Sequence, residues 1–177
     1  MSFLTTFNLT VLGTFHTLIG LFAIAAGVVA FARHGAIGPM TSSGRSFIWS
    51  TLLTVITGFF IFRRGGFGNP HILGVVTLIV LAVAFAAGRT KVFGGFAPYV
   101  ETVAYSLSFF FHFIPGTAES LTRLPLRAPL AASPEAPIVQ SVVGVFFLIF
   151  LSGAAYQVVK IRAARRAEIA LHASFAR

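Results

Sequence analysis

The sequence predicts an all-α fold: an integral membrane bundle of about five transmembrane helices, N-terminus out and C-terminus in. Three observations predict it. Of 177 residues, 56% are hydrophobic and 10% charged, where a soluble domain carries about 25% charged residues. The mean hydropathy is +0.91. The apolar residues gather in five runs, at 8–32, 46–62, 71–88, 98–114 and 138–160, each long enough to cross a hydrocarbon core of about 30 Å upright or tilted. No change of composition divides the chain, so 1–177 reads as one polytopic domain.

The first run has no Lys or Arg before it in residues 1–10. A cleaved leader needs a basic start and a shorter apolar stretch, so this run is expected to be a retained span. The second opens after a turn region holding Gly35, Gly38 and Pro39, with Ser46 as its expected cap. The third follows Gly65, Gly66, Gly68 and Asn69-Pro70. Pro98 suits the first turn of the fourth, because the missing N–H is not needed there. The fourth is short and contains Glu101. An outer loop at 115–137 is rich in proline, and Thr117 in it is placed to cap a short helix lying on the membrane; the loop reads either as a solvated linker or as a lid over an outer-face site, with Glu119 near His112. The fifth run ends in a basic tail at 161–177.

Thirteen basic and four acidic residues give a net charge of +9. The basic residues stand singly or in pairs between apolar runs, which excludes nucleic acid as the natural partner and reads as topology signal and lipid contact. With the C-terminus inside, Arg33, Arg45, Arg89, Lys91, Lys160, Arg162, Arg165, Arg166 and Arg177 face the cytoplasm. Arg63, Arg64, Arg123 and Arg127 face outward. That asymmetry sets the orientation and points to a bacterial inner membrane. Trp49 and Tyr156 then lie near the inner interface, and the tail is expected to meet anionic lipid headgroups. The absence of cysteine excludes disulfides, thiolate metal sites and thioether haem. No P-loop, dinucleotide, nucleophile-elbow or zinc-protease motif is present.

Ionisable side chains at membrane depth are costly, so His16, His71 and His112 are the residues of interest. Their expected depths place all three toward the outer face. Gly13, Gly20 and Gly27 recur every seven residues on the first helix, with His16, Ala23 and Ala30 between them. Such small residues let helix backbones approach closely in lipid. Two readings stay open. In one, His16 hydrogen-bonds across a packing seam. In the other, Gly13 and Gly20 leave room for a haem b that His16 ligates, with His112 or His71 opposite. On the fourth helix Glu101, Tyr105, Ser108 and His112 share one face, either as a hydrogen-bond ladder or as a proton relay. Ser50, Thr54, Thr57, Ser141, Gly144, Ser152 and Gln140 read as helix–helix contacts, and His34 and His172 as solvent-exposed.

Three segments carry a resemblance: His16-x-x-x-Gly20 continuing to Gly27, Gly44-Arg45, and Gly65-Gly66-Phe67-Gly68 before His71. Over roughly residues 12–90 the chain resembles a widespread family of uncharacterised bacterial multi-pass membrane proteins. Members often carry a histidine shortly before the Gly-Arg pair, where this chain has Thr41, Ser42 and Ser43. A ligand role for that histidine would be lost or replaced here. The resemblance implies a membrane protein and no particular activity. Three expectations for function follow from the residues: a small haem-binding electron-transfer protein, a cofactor-free accessory or scaffold subunit of a larger complex or homo-oligomer, and a transporter or metal-handling protein with an outer site of His16, His71 and His112.

Overall fold

The computed structural model describes residues 10–62 and 66–175. Among them the structure is entirely helical, with no strand. The expectations for Arg63, Arg64, Gly65 and Arg177 lie outside the described residues. So does the start of the first run at 8.

Helix α1 spans Val11–His34. Thr10 caps its start, accepting from the Gly13 N–H, and Gly35 closes it in the left-handed conformation. Helix α2 spans Ser42–Gly58. Its cap is Thr41 rather than Ser46, so it begins a turn earlier than its hydropathy suggests: Ser42 and Ser43 are polar but continue the helix once Thr41 has satisfied the first free N–H groups. Helix α3 spans Asn69–Arg89, starting two residues early because Pro70 fits a first turn.

The fourth run becomes two helices, α4 at Ala97–Phe111 and α5 at Phe113–Leu121. A 3₁₀ turn at Gly94–Phe96 leads into α4. The break falls at His112, whose N–H reaches back only to Phe109. Pro115 explains it, because its ring excludes the carbonyl four residues earlier, that of Phe111. The expected outer loop is therefore helical to Leu121. Thr117 lies buried inside α5 instead of capping a surface helix, and Glu119 pairs with Arg123 one turn on. Helix α6 runs Pro137–Phe175, 39 residues, so the basic tail continues the last span. At 1.5 Å per residue it is about 58 Å long, nearly twice a hydrocarbon core.

Three of these helices, α1, α3 and α6, are long and apolar enough to cross a membrane. Helix α2, with 17 residues, falls short of that length by itself, as do α4 and α5 on either side of their break. The core sits where α1 to α4 meet. Ala23, Ala26 and Ala30 of α1 pack with Phe47 of α2, Leu81 and Ala84 of α3, and Ala104 and Tyr105 of α4. Ile37, from the α1–α2 connection, is buried with them. Phe109 stands in this layer, edge-on to Phe31 at 5.1 Å and tilted on Phe47 at 5.9 Å. Helix α6 lies outside, against α4 and α5 through Phe110 with Phe147 and Phe150, and Phe113 with Phe146.

Candidate functional site: the polar ties on α2

The small-residue stripe of α1 faces α2, as its spacing predicts. Gly20 is 3.7 Å, by the Cβ it lacks, from the Thr54 methyl, and a Cβ on Gly27 would stand 2.5 Å from Phe109 and 3.2 Å from Phe47. Contacts run from His16–Thr57 through Gly20–Thr54 to Gly27–Phe47. As one number rises the other falls, so the two helices are antiparallel. Their close approach brings His16 into register with Thr57.

His16 Nδ1 lies 3.0 Å from Thr57 Oγ1. That hydroxyl has one hydrogen, and the backbone carbonyls of Leu53 and Thr54 accept it at 2.9 and 3.0 Å. With the hydrogen on either carbonyl, Oγ1 accepts from His16 Nδ1–H. The proton then sits on Nδ1, and Nε2 keeps its lone pair. Gly58 adjoins the ring: a Cβ there would meet His16 Cε1 at 3.2 Å.

His112 Nε2 lies 3.0 Å from the hydroxyl of Thr51, a residue with no solvent exposure. The ring packs edge-on to Phe47 at 5.8 Å. Its position at the break between α4 and α5 turns it inward to the middle of α2. Six residues separate Thr51 from Thr57, about 9 Å along the axis, so the two histidines bind the same helix at different depths.

His71 stands apart from both. It is 5% exposed, and its Nδ1 accepts from the Gly68 N–H at the start of α3. The rings of Phe59, Phe62 and Phe67 stack on it with centroids at 6.4, 5.0 and 5.0 Å. Its Nε2 has no hydrogen-bond partner among the described residues. Its position in the first turn of α3, after Asn69-Pro70, predicts a solvated histidine; the aromatic residues of the α2–α3 connection fold over it instead. No group of three or more His, Asp or Glu side chains is placed to hold a metal ion among the described residues.

The face of Glu101, Tyr105, Ser108 and His112 points inward, but its members bond in different directions. The Glu101 carboxylate lies on Gly88 of α3, where a Cβ would overlap it. Tyr105 and Ser108 are in the core, and Ser108 donates to its own helix, to the Tyr105 carbonyl at 2.8 Å. His112 turns to α2.

The sequence reading missed two residues. Thr51 carries the His112 contact. Gln157 of α6, 6% exposed, accepts from the Ser106 hydroxyl at 2.9 Å and donates to the Gly35 carbonyl at 3.0 Å. It thereby ties α6 to α4 and to the end of α1. The signal was there: an amide within an apolar run needs a partner.

Comparison with family models, with curated proteins and with solved structures finds no match to this chain. The resemblance over residues 12–90 therefore rests on the residues quoted for it.

Proposed function

We propose that this chain is an accessory subunit of a larger membrane assembly, a bundle tied internally through α2 that offers α6 to a partner helix. Helix α6 carries the reading. Only Val139, Ala154 and Gln157 of it are buried. Its outward surface presents Ser141, Val145, Leu148, Ser152, Ala155 and Val159, all exposed and spaced alternately four and three residues apart. That spacing is the seam of one helix against another. Its small members suit close backbone approach in lipid, whereas a surface meeting only acyl chains has no need of them.

The intramembrane histidines agree with this role. In lipid an unpaired polar group is costly, and His16 and His112 each meet a threonine on α2. Gly20, one turn from His16, lies against Thr54 of α2. A bacterial inner membrane, five crossings and the N-out, C-in orientation complete the reading, supported by the nine-to-four division of basic residues.

One observation favours a second reading, a haem b near the outer face. The two backbone carbonyls that take the Thr57 hydroxyl hydrogen favour Nδ1–H on His16, the tautomer that ligating histidines adopt. His112 Nε2 already faces Thr51, so the opposite ligand would need His112 to turn, or His71.

The test is a photo-crosslinking side chain at Val145 or Leu148 in native membranes, with Val28 of α1 as reference. A protein adduct of constant mass from the α6 sites and none from Val28 is expected. Lipid adducts alone from all three would contradict the reading. A cysteine at Ser174 in the same membranes reports orientation, and labelling from the cytoplasmic side alone is expected.

A further inference from the structure

A groove of about 830 Å³ runs along the outer surface of the bundle between α1 and α2. It is polar at one end and apolar at the other. Ser42, Arg45 and Ser46 line the end at the start of α2. Phe22 and Leu53 line the far end, and Trp49 stands between. From Ser42 to Leu53 the helix rises about 16 Å, half of a hydrocarbon core of about 30 Å. The groove thus reaches from the membrane boundary to the midplane, the depth covered by the acyl chains of one leaflet.

The charge at the polar end is unbalanced. Arg33 closes α1 at the same end of the bundle as Arg45, and no Asp or Glu occurs between residues 33 and 58. Arg45 has no ion pair among the described residues. Its guanidinium can grip phosphate oxygens in a planar, two-pronged contact, and the serine hydroxyls supply further donors. Trp49 is 70% exposed. Indoles are enriched at this depth, where an apolar ring meets acyl chain and a polar N–H meets headgroups.

We infer that this groove is a binding site for one anionic phospholipid, with its phosphate on Arg45, Ser42 and Ser46 and an acyl chain laid past Trp49 toward Phe22 and Leu53. The assignment rests on insertion in a bilayer, not on the identity of any protein partner. It is distinct from the diffuse attraction of the basic tail, because it has a defined depth, a hydroxyl-bearing headgroup end and an apolar trough. A zwitterionic lipid carries its own cation beside the phosphate, so the unbalanced arginines select against it.

Trp49 is the chain's one tryptophan, and its fluorescence reports the groove alone. The full chain is reconstituted in phosphatidylcholine vesicles containing a minor, equal fraction of either dibrominated phosphatidylglycerol or dibrominated phosphatidylcholine. Bromine quenches indole on contact. Phosphatidylglycerol should reach the same quenching at about one-fifth the fraction that phosphatidylcholine needs. Arg45→Gln should abolish that preference and Arg45→Lys retain only part of it. Arg165→Gln with Arg166→Gln, in the tail, should leave it unchanged. Equal quenching by the two lipids overturns the site, and so does a preference that survives Arg45→Gln. Quenching by neither lipid also overturns it, since something other than lipid then fills the groove.

Discussion

His112 and Thr51 illustrate what a single polar pair does inside this bundle. Thr51 has no solvent exposure and His112 is part-buried against it, and each supplies the other's hydrogen bond. Removing one partner strands the other, whereas removing both does not. A double-mutant cycle with His112→Phe and Thr51→Val should therefore give a coupling of about 0.6 kcal/mol, and at most about 1.7 kcal/mol, the range for such pairs in membrane helices. Equilibrium unfolding from mixed micelles measures it, and additive single effects would remove the pair from the account. The sequence made the histidines visible, because each interrupts an apolar run. Their partners were not visible. Thr51 becomes a partner only once α4 breaks at His112, and that break depends on Pro115 lying three residues beyond it. Gln157 was overlooked for the reverse reason: it stands alone on its helix, with no periodic companion to draw attention.

At the scale of the element, glycine positions decide how near two helices come. Gly27 of α1 lies under Phe109 and Phe47, and an added methyl has no space there. Gly144 of α6 has nothing within 4 Å of the same added atom. Gly27→Ala should cost about 1–3 kcal/mol through overpacking, and Gly144→Ala less than about 0.5 kcal/mol. Equal losses on unfolding both variants in mixed micelles would show that the α1–α2–α4 layer is looser than described. The seven-residue glycine period was legible as a packing face from the sequence alone, since period and small size are local properties. Helix ends were less so. Hydropathy places the start of α2 at Ser46, while the cap chemistry of Thr41 starts it earlier. Hydropathy also ends the last run at 160, although Ala and Arg, both strong helix formers, carry α6 on to Phe175.

At the scale of the whole molecule, the all-helical architecture and its membrane character follow from run length and the scarcity of charge. Both survive errors of a few residues. Whether His16, His71 and His112 meet was not legible in the sequence, because meeting depends on depth, and depth depends on tilt, breaks and register. Here the break at His112 sends that ring to the middle of α2, His16 binds nearer the end of the same helix, and His71 is enclosed by phenylalanines. His16 and His112 thus hold α1 and the α4–α5 break to α2, while α6 faces a partner. The most direct measurement is the visible absorption spectrum of detergent-purified protein, expressed with ample haem, before and after dithionite, in wild type and His16→Ala. No Soret band and no reduced α or β band is expected in either. A Soret band in the wild type that His16→Ala abolishes would contradict this arrangement and make His16 an axial ligand.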